Sequence, residues 1–479
     1  MLNKKELIDI IINLMKEHNV PSVQVGIIKD NETIFCGGAG FRDYNKKIDA
    51  DTETVFAIGS ATKAFTAEAL AILVDEGKVE WDKPVKHYIP EFEMYNNYVT
   101  ENLTVRDILS HRCGLPRHDL MWVLNMREYS KEHIIKSFKY LKPNAPFRYN
   151  MQYQNHMYGL AGYLIETVSG QKWNEFIRER IIEPLGMVDT NFCIEDTKKV
   201  ENKSLPYEFN NGEIKEMPFS DIYTVGSAGS MNSNIKDMLK WVQFNLDKGQ
   251  WNDNQIISKK NIEECHTPQM IIRDMVQWKF EEIDFQNYGM GWFIESYRGH
   301  KVIHHGGAID GFISMVSFIP EINAGFVILT NGNGNRIPMI LQYSLYDILL
   351  DHDSIEWDIR FKEVIEKTKI EYKEQTNKIR ASAPKNTKPS FELQNYSGEY
   401  ENNAYGKIKI IIEDNKLVFE SGDLKIALEH LCFNSFIVEE ENMLLFMPLQ
   451  FKIDTTGKIT AVDIKFEPTL NEMIEFTKL

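Results

Sequence analysis

Ser60 and Lys63, in the run Ala57-Ile58-Gly59-Ser60-Ala61-Thr62-Lys63, are three residues apart. On a helix that spacing places both side chains on one face. Ser60 would stand in the first turn, where unpaired backbone N–H groups and the positive end of the dipole favour a developing negative charge. A serine hydroxyl is a poor nucleophile at neutral pH and needs a base within hydrogen-bond reach. Lysine, with a pKa near 10.4, is less than about 0.1% neutral at pH 7. Lowering that value by about three units takes roughly 4 kcal/mol, available from burial plus a second cationic or hydrogen-bonding group. By itself Ser-x-x-Lys is also an ordinary helix start with Ser60 as cap. Partners must come from elsewhere in the chain.

Two distant stretches can supply them. Tyr153-Gln154-Asn155 offers a phenol and a carboxamide two residues apart, on a turn before an apolar helix over Tyr158–Val168. A phenol beside an ammonium can pass protons, and a carboxamide can bind both a lysine and a substrate amide. His304-His305-Gly306-Gly307-Ala308 ends a predicted strand and is followed by Gly311-Phe312. Its glycines let a strand edge approach a substrate backbone closely. The Ala308 N–H could then form an oxyanion hole with that of Ser60. A metal site needs a carboxylate or third imidazole at ligand spacing, and none follows locally; neither a metal nor a cofactor is expected.

Together, and in this order, the three stretches resemble the penicillin-recognising serine hydrolases, in particular the class C β-lactamase and D-aminopeptidase branch with its Ser-x-x-Lys, Tyr-x-Asn and Lys/His-x-Gly motifs. Leu103–His111 with Gly114-Leu115-Pro116, Gly159–Gly162, Gly226–Trp241 and Gly306–Phe312 look like the same branch, so the resemblance covers about residues 8–350. It implies Ser60 as nucleophile, with Lys63 and Tyr153 sharing the proton work. It implies substrate contacts from Asn155, His305, Gly306, Gly307 and Ala308. Efficient β-lactamases of the branch usually carry lysine where His305 stands; a histidine of pKa near 6.5 is only about a quarter protonated at pH 7. The resemblance therefore implies a serine hydrolase that forms an acyl-enzyme on short peptides, amino-acid amides or carboxylic esters, with weak β-lactam turnover. A class C-type β-lactamase, or a penicillin-binding sensor without turnover, stays open as an alternative.

The elements that must bring these residues together read as an α+β fold. Strand patterns at Ser22–Lys29 and Thr33–Gly38, joined at Asp30-Asn31, and again from Tyr288 to Thr330, enclose a mostly helical middle. One antiparallel sheet flanked by helices, with an inserted helical lobe, satisfies this order and leaves a cleft between lobes. The expected units are residues 1–350, a charged helix and linker over 351–388, and residues 389–479. The last unit alternates in short strands separated by turns and reads as a small antiparallel β-barrel. From Tyr396-Ser397-Gly398-Glu399-Tyr400 onward it is similar to the lipocalin-like domain that follows some peptidases and esterases. A gate over the cleft is one role for it.

The net charge of −16 offers no basic surface for nucleic acid or anionic membranes. From residue 389 on, 16 acidic residues face 8 lysines, so this piece carries half of that charge. The five scattered cysteines fit reduced thiols. No run approaches the roughly 18 apolar residues of a membrane span, and the beginning of the chain lacks a cleavable leader pattern. A cytoplasmic protein acting on a small molecule or short peptide is expected. Self-association into a homo-oligomer is left open.

Overall fold

In a computed structural model, the described residues are 3–123, 130–273, 280–422, 424–440 and 444–479. The first helix, Lys4–His18, is capped by Asn3, whose side chain accepts from the N–H groups of Lys5 and Glu6. It buries Leu7, Ile11 and Leu14, one stripe at helical spacing. Strands Ser22–Lys29 and Glu32–Asp43 follow, and Asp30 and Asn31 between them both have positive φ (52° and 65°). Two left-handed residues are what a tight hairpin needs to match the strand twist.

Nine described strands form the main sheet, all pairs antiparallel. The order is Met270–Ile271, Ile283–Tyr288, Phe293–Tyr297, His300–Ile309, Phe312–Ile319, Ala324–Thr330, Ser22–Lys29, Glu32–Asp43 and Ile48–Asp49. Ser22–Lys29 pairs with Ala324–Thr330, from Val23 opposite Thr330 to Lys29 opposite Ala324. The sheet is therefore built from both ends of the region, and the chain between Asp49 and Met270 forms the inserted lobe. The expected α+β architecture stands.

At the centre of the lobe is the helix Thr62–Asp75. Its sequence suggests one apolar face through Phe65, Ala69, Leu70 and Leu73, yet every residue from Thr62 to Leu73 is buried, Lys63 and Glu68 included. Phe65 stacks on Trp241 at 3.8 Å between ring centroids. Val105–Leu109 begins with a reciprocal cap between Thr104 and Asp107. Asn155–Ser169 begins three residues before the predicted start, because the Gln154 side chain caps it, and it ends at Gly170 in the left-handed conformation.

The helix Trp357–Ser382 leads to a second, entirely separate sheet. It is less solvated than its charge suggests: Trp357 and Phe361 are buried, packed around Phe280. Nine described antiparallel strands make up the second sheet, running from Leu424–Ala427 at one end to Glu429–Cys432 at the other. Its end strands are consecutive in the chain, so the sheet curls into a nearly closed barrel. No helix among the described residues is long and apolar enough to cross a membrane.

Buried histidines make this fold sensitive to acid. Burial pushes the imidazole of His156 down to about 4 and that of His266 down to about 3. Unfolded, both take up protons near pH 6.5, so below that pH the unfolded chain binds more protons and stability falls as pH falls. At pH 5 each costs about 2 kcal/mol. His111 and His305 shift in the same direction, while buried Glu68, pushed up by burial, opposes them with one group. The unfolding midpoint is expected to drop between pH 7 and pH 5; a midpoint that is flat or rising across that range would refute this.

Candidate active site

Ser60 lies in the short turn Gly59–Ala61 that leads directly into the helix Thr62–Asp75. Gly59 has φ +49°, and a Cβ there would fall 2.8 Å from the Ala308 nitrogen. Gly307 is tighter still, since a Cβ would meet the Ile58 carbonyl oxygen at 1.8 Å. Ser314 closes the same junction by donating to that carbonyl at 2.7 Å. The glycines thus let the strand His300–Ile309 lie against the backbone that carries Ser60.

Lys63 is completely buried. Its Nζ lies 3.0 Å from Ser60 Oγ, 2.8 Å from Asn155 Oδ1 and 2.8 Å from the Ala228 carbonyl oxygen. Burial first, then the Arg117 guanidinium, holds its pKa well below the ordinary lysine range, with Asp119 opposing. Tyr153 also reaches Ser60 through its hydroxyl. Its ring lies 4.8 Å from Lys63 Nζ and 5.0 Å from the Arg117 guanidinium. Burial raises the phenol above its ordinary value, the Ser60 hydrogen bond and Arg117 opposing, so it stays protonated. Beside it, at 4.4 Å between ring centroids, is buried His111, whose Nδ1 accepts from the Gln154 N–H.

Asn155 is held from both sides. Its Oδ1 accepts from Lys63 while its Nδ2 donates to Asp119 Oδ1 at 2.9 Å. Asp119 also accepts from Trp122 Nε1 at 3.0 Å and from Arg117 Nε at 2.6 Å. Burial pushes the Asp119 carboxyl up, but Arg117 and these hydrogen bonds outweigh it and keep the group ionised.

His305 departs from the sequence expectation. Its ring is buried, with Nδ1 2.6 Å from the Gly306 carbonyl oxygen and Nε2 3.1 Å from the Tyr288 hydroxyl. A neutral ring satisfies both contacts, donating at Nδ1 and accepting at Nε2. Burial and nearby Lys63 push its pKa well below 6.5, so the quarter-charged histidine expected from the ordinary pKa gives way to an uncharged one. A cavity of about 500 Å3 runs past Ser60, Tyr153, Asn155 and the stretch His305–Ala308.

Residues 7–342 match the Beta-lactamase family. The chain belongs to the beta-lactamase family. Residues 382–478 match a second family, described as a domain of unknown function (DUF3471). An unguisins hydrolase of Aspergillus campestris is 27% identical over 98% of this chain and 90% of its own length. Protein flp of Staphylococcus aureus is 27% identical over 71% of this chain and 66% of its own. Among solved structures, the octameric penicillin-binding protein homologue of Pyrococcus abyssi aligns over 99% of this chain and all of its own, with 23% identity and a TM-score of 0.63. A D-stereospecific amidohydrolase of Streptomyces aligns over 69% of this chain and 95% of its own, with 22% identity and a TM-score of 0.58. This beta-lactamase-family chain is a serine hydrolase.

Ser60, Lys63, Tyr153, Asn155, His305, Gly306, Gly307 and Ala308, the residues expected from the sequence, all converge around one cavity. Sequence reasoning missed Arg117, Asp119 and Trp122, which complete the polar network around Asn155. Arg117 and Asp119 follow Gly114-Leu115-Pro116 in a loop and Trp122 stands in the short helix Leu120–Val123 after it, and nothing in their spacing links them to Lys63. Tyr288, which fixes the His305 ring, was equally hidden as one aromatic in a strand.

Proposed function

We propose that this serine hydrolase cleaves amide or ester bonds of small substrates, short peptides, amino-acid amides or carboxylic esters, through an acyl-enzyme on Ser60. The observation that carries the reading is the 3.0 Å contact between Ser60 Oγ and a lysine buried away from water. In its neutral form Lys63 has two N–H donors and one lone pair. The donors go to the Asn155 and Ala228 oxygens, and the lone pair faces the Ser60 hydroxyl. Ser60 Oγ attacks the substrate carbonyl carbon as its proton passes to Lys63. The backbone N–H groups of Ser60 and Ala308 receive the oxyanion. Tyr153, kept neutral, gives its proton to the leaving amine or alcohol and is resupplied from Lys63. Water then attacks the acyl group by the reverse proton path and frees Ser60.

Asn155, His305, Gly306, Gly307 and Ala308 form the substrate side of this reading, supported by their place around one cavity. Amide chemistry is supported by relatives named as an unguisins hydrolase and a D-stereospecific amidohydrolase. The neutral, doubly bonded His305 has no charge to anchor the carboxylate of a β-lactam. Nitrocefin is therefore expected to turn over at a small fraction of the rate of p-nitrophenyl esters or amino-acid anilides. Acidification from pH 8 to pH 6.5 should not improve it, because the His305 pKa lies below that window. A panel of those substrates in D and L forms tests the proposal; nitrocefin cleared at the rate of resistance enzymes would overturn it.

The same proposal divides the chain into a hydrolase unit over 1–350, a connecting segment over 351–388 and a lipocalin-like unit over 389–479, supported by the two separate sheets. Five cysteines without a disulfide among them support a reducing, cytoplasmic setting. The octameric Pyrococcus abyssi relative supports self-association.

A further inference from the structure

His118, between Arg117 and Asp119, has a left-handed backbone with φ 49° and is 1% exposed. A residue with a side chain holds that conformation only where its surroundings impose it. The polar groups of His118 are all engaged. Its N–H donates to Glu467 Oε2 at 2.9 Å, and its carbonyl oxygen lies 3.2 Å from His156 Nε2. Ring Nε2 is 3.1 Å from the Lys142 carbonyl oxygen, to which it can only donate. That leaves Nδ1 as the acceptor for the Tyr405 hydroxyl at 2.6 Å.

Glu467 and Tyr405 both belong to the C-terminal region, and both are themselves fixed. Glu467 Oε1 accepts from the Thr469 N–H and hydroxyl at 3.2 and 2.7 Å. The Tyr405 N–H donates to Asn402 Oδ1 at 3.0 Å, and its ring packs on Phe466 and Phe476. One residue beyond His118 stands Asp119, which only accepts hydrogen bonds when ionised. It therefore decides which way the Asn155 carboxamide points: NH2 toward Asp119, oxygen toward Lys63. Without that acceptor the amide is free to turn over and present a donor to the lysine.

We propose that Glu467 and Tyr405 are positioning residues for acylation of Ser60: two turns between strands of the C-terminal sheet grip His118, His118 places Asp119, and Asp119 orients Asn155 against Lys63. The inference rests on the assignment of Ser60 and Lys63 made above. It makes the C-terminal unit a brace for the nucleophile's base, whereas a gate would act only on access.

The test uses the full chain and the second-order rate of Ser60 labelling by a fluorophosphonate probe, with the unfolding midpoint measured alongside. Glu467→Ala leaves a buried N–H without its acceptor and should slow labelling by about 10-fold or more. Glu467→Gln keeps an oxygen for the His118 N–H and should stay within about threefold of the unaltered protein. Tyr405→Phe should fall between the two. Asp119→Asn should slow labelling, and adding Glu467→Ala to it should slow labelling by less than about twofold further, since both changes act through Asp119. Multiplied losses in the double variant, or a lowered midpoint with the labelling rate intact in Glu467→Ala, would overturn the brace. Labelling that persists in Ser60→Ala would instead overturn the nucleophile assignment, so the two failures are told apart.

Discussion

Ser60→Ala is expected to abolish covalent labelling by fluorophosphonate and penicillin probes and to lower ester and amide turnover by about 10⁴-fold or more. The size follows from the isolation of the hydroxyl. Lys63, the proposed proton acceptor, is fully buried and reaches Ser60 Oγ at 3.0 Å. Tyr153 closes on the same oxygen. Alanine leaves these groups and the oxyanion N–H groups in place, so binding should persist while the covalent step disappears. Intact-mass spectrometry after probe treatment reads this directly. A mass shift of undiminished size in Ser60→Ala would place the nucleophile elsewhere.

Lys63→Met should reduce the acylation rate by about 10³-fold or more, since it removes the proposed base and keeps most of the side-chain volume. The pH profile separates this from a packing defect. Lys63 accepts a proton only as the free amine, so the unaltered enzyme should lose activity as pH falls through the lysine's folded pKa. Burial and Arg117 set that value well below the usual lysine range, which brings active amine toward neutral pH. Stopped-flow acylation measured across pH should show an acid limb in the parent that is missing from Lys63→Met. An identical limb in both proteins would assign the proton acceptor to another group.

Three remote motifs were legible in the sequence because each brings a residue type that acyl transfer requires. The sheet was legible from strands at both ends of a helical stretch, and the Asp30-Asn31 hairpin from turn chemistry that the positive φ values bear out. The network around Asn155 was not. Arg117 and Asp119 meet it through a loop and Trp122 from the short helix after it, and His118 within that loop is held by Glu467 and Tyr405 from the C-terminal region. Nor could the sequence show that His305 is uncharged. That depends on Tyr288, on Gly306 and on loss of water around the ring, which no local pattern encodes.

The pairing of Ser22–Lys29 with Ala324–Thr330 has a consequence for how the protein is made. A ribosome delivers Ser60 and Lys63 long before it delivers the strand that carries Ala308, and closing so long a loop is slow. A nascent polypeptide therefore holds its serine without the proposed oxyanion site until about residue 330 has left the exit tunnel. On the proposed mechanism reactivity switches on late in translation, and a prematurely terminated product carries the motif without the chemistry.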